Sequence, residues 1–343
     1  MGGLAPIALT MGEPAGIGGE IALKAWANRA KLSVPPFFVI DDPKRLNRLS
    51  KKLGWPIETV SISDPSEASG AFSHGLPVFT LELPGSMTPG APDPANANCV
   101  ISSIDTAVTQ VTTGNASALV TNPIHKFSLY DAGFSHPGHT EYLAALAGGD
   151  RSAMMLACDE LRVVPVTIHM SLAEAIKSLT TADIVEISKI TEASLKRDFG
   201  IDAPHLMVAA LNPHGGENGS MGNEERDIIV PAVEQLKKDG LTVTGPAPAD
   251  TLFHPRARAT YDAVICMYHD QALIPLKTID FSGGVNITMG LPFVRTSPDH
   301  GTAFEIAGMG VADETSVVGA LKMAAQIAQR RANRIEAPAA HHG

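Results

Sequence analysis

The chain has 343 residues, enough for two domains or one long α/β domain with a cleft, and its 44% hydrophobic and 18% charged content is ordinary for a globular enzyme. A formal net charge of −10 argues against a general nucleic-acid binder, so an anionic ligand must be met by a few local Lys and Arg side chains. With no run of about 18 apolar residues and no basic, apolar leader, neither a membrane span nor a signal peptide is expected, and the cytoplasm is the default location.

The first apolar run, Ile7 to Thr10, predicts a strand, followed by the turn Met11-Gly-Glu-Pro-Ala-Gly-Ile-Gly-Gly-Glu20 and a helix through Ala30. Strand, glycine turn and helix is the general form of a phosphate cradle. The turn lacks GK[ST], and Ile21 stands where a GxGxxG fingerprint needs its third glycine, so a tight structural turn is equally compatible. Phe37 to Ile40 is a second strand, and the Pro- and Gly-rich stretch from Pro84 to Pro94 reads as an exposed loop. Val100, Ile104, Val108 and Val111 follow helical spacing up to Gly114, and Ala118 to Thr121 is the next strand.

Gly138-His139-Thr140-Glu141 opens a short helix through Ala147, with Thr140 as the expected N-cap and an anion site at the helix start. Val163 to Ile168 is a strand that runs into His169, after which Ser171-Leu-Ala-Glu174 forms a capping box. A helix over Ala182 to Phe199 ends at Gly200, and the strand Leu206 to Leu211 runs into His214. Another helix spans Glu224 to Lys238, and Asp250 offers a carboxylate for an ammonium group. The strand Ala263 to Met267 leads to His269, followed by Lys277, Asn286 and Arg295 in Gly-rich surroundings suited to phosphate or carboxylate. A last helix covers about Thr315 to Arg334, with a frayed tail from Glu336. Cys99, Cys158 and Cys266 form no CxxC pair and read as small buried hydrophobes in a reducing setting.

Alternating strands and amphipathic helices predict an α/β fold with a mainly parallel sheet. In such sheets ligands bind beyond the carboxyl ends of strands, which is where His169, His214 and His269 all fall. Three imidazoles with an open coordination position are a common catalytic metal set, able to acidify a bound hydroxyl. A lone histidine at a strand end is usually a hydrogen-bonding loop residue, and it is the recurrence at three strand ends that points to a metal. Asp270, next to His269, is placed to support it.

Read together, LTMGEPAGIGGEI, TNPIHK, PGHTE, LNPHGGENGSMGNEE, PADTLF, MYHDQA and GVNITMGLPFVRTSPDHGTAFEIAG resemble the 4-hydroxythreonine-4-phosphate dehydrogenase (PdxA) family of vitamin B6 biosynthesis. Gly19 and Ala272 depart from the family's usual Pro and Gly, and Met170 follows the first metal-type histidine where a Pro-containing pair is more familiar. The resemblance implies an isocitrate/isopropylmalate dehydrogenase-like fold, two α/β/α domains around a central cleft and not a classical Rossmann fold. The expected domains are 1–135 with 262–343, and 136–261. It also implies a homodimer with its active site at the interface, where His169 and His214 of one chain and the partner's His269 hold a divalent metal. Zinc is the first choice for that metal, with cobalt, magnesium or nickel as alternatives. His139, Thr140, Lys277, Asn286 and Arg295 would bind substrate, and Lys277 and Asp250 would be catalytic.

The implied reaction is NAD-dependent oxidation, with NADP as a possible substitute, of 4-phosphooxy-L-threonine at C3. The product, 2-amino-3-oxo-4-phosphooxybutanoate, would lose CO₂ to give 3-amino-2-oxopropyl phosphate. The rivals are a paralogue oxidising a phosphorylated threonate or erythronate or a dihydrodiol dicarboxylate, a metal-dependent hydrolase, and a binding protein with a structural metal.

Overall fold

Most of the apolar runs in the sequence become strands that are buried along nearly their whole length. A computed structural model describes residues 4–336 apart from Ser86, Asp131, Ala132, Pro137 and Asp150. The tail expected to fray lies, from 337 on, outside the described residues. In chain order the strands are β1 (Ile7–Thr10), β2 (Phe37–Asp41), β3 (Thr59–Ile62), β4 (Leu76–Thr80), β5 (Leu119–Val120) and β6 (Ala153–Cys158). They continue as β7 (Leu161–Thr167), β8 (His205–Ala209), β9 (Thr242–Ala247), β10 (Ala263–Tyr268), β11 (Val285–Met289) and β12 (Arg295–Pro298). No described helix is long and apolar enough to cross a membrane.

The chain forms two compact units, Met1–Asp150 with Leu291–Gly343, and Arg151–Gly290. The sequence placed the crossings near 135 and 261. The helix His139–Leu146 stays with the first unit because Leu143 is buried in its core, and the helix His269–Ile279 stays with the second because it packs on β7 and β10.

In the first unit the strand order is β3-β4-β2-β1-β5-β12, with every pairing parallel. The helix Ala97–Thr112 turns Val100, Ile104, Ala107 and Val108 inward, and Ile104 packs in one core with Ala8, Phe38, Ile40 and Leu119. The helix Thr315–Glu336 lies against β12. Beneath the glycine turn, Arg45 is fully buried in an ion pair with Asp41, and its Nη1 donates to the Pro14 carbonyl at 2.9 Å.

In the second unit the order is β11-β6-β7-β10-β8-β9. The β6–β7 hairpin is antiparallel, as is β11 with β6, whereas β7, β10, β8 and β9 run parallel. Its core gathers Leu156, Val163, Ala209, Val264, Cys266 and Leu276. Of the three cysteines only Cys266 is buried. Cys99 and Cys158 are half-buried, because the first packs at the edge of the core around Met11, Ala97 and Val100 and the second ends its strand at the hairpin turn.

Candidate active site

β10 lies between β7 and β8 and is parallel to both, so the chain leaves three neighbouring strands at the same edge of the second unit. His169 follows β7, His269 follows β10 as the first residue of the helix His269–Ile279, and His214 follows β8. Cross-bracing fixes these strand ends. Thr167 donates its hydroxyl to the Met267 carbonyl at 2.8 Å. Buried Gln271 accepts from the Met267 amide and donates to the Ala210 carbonyl, both at 2.7 Å.

The His169 and His269 rings stand 6.4 Å apart, centre to centre, with 41° between their planes. Metal–imidazole bonds of about 2.0–2.1 Å put two rings on one ion roughly 5–6.5 Å apart, so this pair sits at the outer edge of that span. His269 Nδ1 is hydrogen-bonded to Asp270 Oδ1 at 2.7 Å, an arrangement that leaves Nε2 to face a ligand. A cavity of about 480 Å³ opens here, lined by His169, Ser171, Glu174, Tyr268, His269 and Asp270. Among the described residues no group of three or more His, Cys, Asp or Glu side chains is close enough to hold a metal ion. The pair this chain brings together is thus His169 with His269, whereas the family resemblance pairs His169 with His214 in one chain. His169 has a positive φ of 56°, and His214 one of 53°, in the left-handed region that costs an L-residue about 1–2 kcal/mol.

A second group forms in the first unit. Arg295, at the start of β12, is 3% exposed and donates Nε and Nη2 to Thr121 Oγ1 at 3.2 and 2.7 Å. Around Gly138, a methyl group would lie 3.1 Å from Glu141 Oε2 and 3.3 Å from Lys126 Nζ. His139 Nε2 and Glu141 Oε2 are both sequestered from solvent without a hydrogen-bond partner. Burial of the ring nitrogen, with the Arg295 and Lys126 charges facing it, holds the His139 pKa well below 6.5. Burial likewise pulls the Arg295 guanidinium down to about 10, with the Glu141 carboxylate opposing the shift. Arg295 therefore stays cationic at neutral pH. One guanidinium, one ammonium and an unpaired imidazole nitrogen at a helix start make a site for a small anion.

Thr140 is not the N-cap. Gly138 holds that position with no side-chain cap, and the helix begins at His139 because the extended backbone of Gly138 brings the chain straight into its first turn. The body of the glycine turn is held by its own backbone contacts. The amides of Glu13, Ala15, Gly16 and Ile17 are bonded to Pro123 O, Glu13 Oε1, Glu13 O and Thr302 O, and are not free to hold a phosphate. Gly12, at φ 66°, lies where a Cβ would come within 2.6 Å of the Pro123 carbonyl.

The remaining expected residues belong to the second unit. Asn286 lies on β11 with a buried, unpartnered Oδ1. Lys277 sits in the last turn of its helix with its ammonium 5.3 Å from the centre of the Phe281 ring. Asp250 is exposed on the single turn Ala249–Thr251 after β9. Sequence reasoning missed Lys126, Glu141 and Gln271. TNPIHK, PGHTE and MYHDQA contain all three, but nothing in their spacing separates them from surface polar residues.

Fold and side chains together define an α/β enzyme equipped for a small anionic substrate. A family model for the pyridoxal phosphate biosynthetic protein PdxA matches residues 33–324, and the chain belongs to that family. It is similar to the 4-hydroxythreonine-4-phosphate dehydrogenase of Methylorubrum populi, with 52% identity over 338 residues, 96% of each chain. The crystal structure of 4-hydroxythreonine-4-phosphate dehydrogenase from Klebsiella pneumoniae superposes with a TM-score of 0.86 at 40% identity, covering 95% of this chain and 100% of that one. A terephthalate 1,2-cis-dihydrodiol dehydrogenase from Burkholderia xenovorans is more distant, with TM-score 0.62 and 26% identity over 94% of this chain and 98% of its own.

Proposed function

We propose that the protein oxidises 4-phosphooxy-L-threonine at C3 with NAD, and that the resulting 2-amino-3-oxo-4-phosphooxybutanoate decarboxylates to 3-amino-2-oxopropyl phosphate, a step towards pyridoxal phosphate. The observation that carries this reading is the placement of His169, His269 and His214 at the carboxyl ends of three adjacent parallel strands. An all-imidazole donor set fits zinc, cobalt or nickel better than magnesium. A divalent metal there supplies Lewis-acid polarisation of the substrate oxygens, and the nicotinamide ring supplies a hydride acceptor.

The chain's own residues do the rest. Arg295, with His139 and Thr140, grips the anionic end of the substrate and fixes its orientation. Asn286 presents its unpartnered amide oxygen to a substrate N–H or O–H donor. Asp250 faces the ammonium group and serves in proton transfer, and Lys277, reacting as the free amine, takes the C3 hydroxyl proton on Nζ and becomes the ammonium. In this reading the working unit is a homodimer, and the partner's His269 joins His169 and His214.

The test is a steady-state assay with 4-phosphooxy-L-threonine, NAD and a metal series, following NADH absorbance. His214→Ala should lose bound metal and turnover together, and full activity after chelation would refute the metal role. A panel including a phosphorylated erythronate and a dihydrodiol dicarboxylate identifies the substrate class. Faster turnover of either would transfer the assignment to the paralogues, and phosphate release without NAD would make the protein a hydrolase.

A further inference from the structure

His214 stands in an unusual piece of backbone. In the turn Pro213–Gly219, five consecutive residues from His214 to Asn218 have positive φ values of 53°, 65°, 74°, 40° and 56°. Two are glycines, but His214, Glu217 and Asn218 carry side chains, whose Cβ atoms disfavour the left-handed region. Something outside the turn must hold it.

That something is one carboxylate. Glu225 is 6% exposed, and its Oε1 accepts from the amides of both Leu211 and Asn212, at 2.8 and 2.7 Å. Its Oε2 accepts from Asn212 Nδ2 at 2.9 Å, and the same amide nitrogen donates to Glu224 Oε2 at 2.7 Å. The turn then folds over this carboxylate. Gly216, at φ 74°, approaches so closely that a Cβ there would lie 2.6 Å from Glu225 Oε2. Glu225 is also the first residue of a π-helical turn, Glu225–Ile229, before the α-helix Val230–Lys238. Inserting such a turn re-aims side chains at a helix start, and π turns recur at functional sites.

We propose that Glu225 is a positioning residue for His214. Its carboxylate pins the two peptide amides that precede Pro213 and thereby holds the left-handed turn that presents the imidazole. Glu225 contacts neither substrate nor metal; it acts through the backbone. The role rests on the reading of His214 as a metal ligand, and the experiment below separates the two.

The full-length protein is compared with Glu225→Gln, Asn212→Ala and His214→Ala by amide hydrogen exchange and by Co²⁺ titration followed through its visible absorption. Glu225→Gln should accelerate exchange at Leu211 and Asn212 by about tenfold or more, with Leu206 to Val208 in β8 still protected as proof of folding. It should also weaken Co²⁺ binding by about 10- to 100-fold, the usual effect of losing a group that orients a ligand. Asn212→Ala, which removes only the side-chain contact, should weaken it by roughly 3- to 10-fold and serves in place of the glutamine variant should that one not fold. Unchanged exchange at Leu211 and Asn212 overturns the proposal. So does unchanged Co²⁺ affinity in Glu225→Gln when His214→Ala abolishes binding. If His214→Ala binds Co²⁺ as tightly as the parent, the metal reading itself fails and the proposal falls with it.

Discussion

Arg295 and His139 show what burial does to two neighbouring bases. The guanidinium is pulled down only to about 10 and stays charged, so the imidazole is the group that gives up its proton. That assignment has a pH consequence. Above pH 6.5 both the folded and the unfolded chain keep His139 neutral. Below 6.5 the unfolded chain binds a proton there that the folded chain refuses, so stability falls with pH until the lowered folded-state value is reached. Thermal melts of the parent and of His139→Gln between about pH 7.5 and pH 5.5 should therefore diverge, with the parent losing more melting temperature towards acid. Parallel curves would mean that His139 is not held neutral. Arg295→Ala should raise KM for the phosphorylated substrate by roughly a hundredfold, about 3 kcal/mol, with kcat changed far less, because it removes charge-assisted contacts made in ground and transition states alike. Arg295→Lys should restore only part of the loss, since an ammonium cannot reproduce the guanidinium fork.

At the scale of elements, the second unit depends on how the ends of β7, β10 and β8 are tied. Gln271 serves a backbone donor and a backbone acceptor at once, Met267 N and Ala210 O. Gln271→Ala leaves both buried and unpaired, at about 1–3 kcal/mol each, and should lower the melting temperature by several degrees. Gln271→Glu keeps the acceptor but sets a carboxylate oxygen against the Ala210 carbonyl in a buried site, so calorimetry should place it no higher than the alanine variant, and an alanine variant as stable as the parent would deny the brace any weight. These ties also explain which elements the sequence disclosed. β1, β2 and β10 are apolar runs buried almost throughout, and β7 and β8 carry apolar stretches, so all five are legible. β12 reads Arg-Thr-Ser-Pro and β9 contains Gly-Pro, compositions that deny a strand on local grounds. Their pairing with β5 and β8 makes them strands, and no local pattern carries that information. The helix expected from Glu224 exists, but its first turn is π-helical and starts at the residue whose carboxylate takes the Leu211 and Asn212 amides, a deviation that hydrophobic period does not encode.

For the molecule as a whole, the candidate site was legible to the extent that it obeys the strand-end rule. Three histidines after three apolar runs are visible in one dimension. Arg295 meeting Thr121 across 174 residues is not, nor is the neutrality of His139, which arises from charges the fold delivers. Whether two chains share a metal is likewise beyond any single-chain pattern, and here geometry and family resemblance press in different directions. Within this chain the nearby rings are His169 and His269, while the shared-site reading takes the partner's His269. Subunit complementation decides between them. Chains carrying His169→Ala and chains carrying His269→Ala should each be inactive alone. If the site is shared, a mixed dimer holds one site with both defects and one with neither. Random reassociation makes about half the dimers mixed, so activity should return to about a quarter of the parent level per chain. If each chain builds its own metal pair, every site in every dimer carries a defect, and mixing restores nothing. We expect the recovery, because two imidazoles from one chain leave a divalent ion short of the three protein donors usual at catalytic sites, and among the described residues no third His, Cys, Asp or Glu stands close enough to join them.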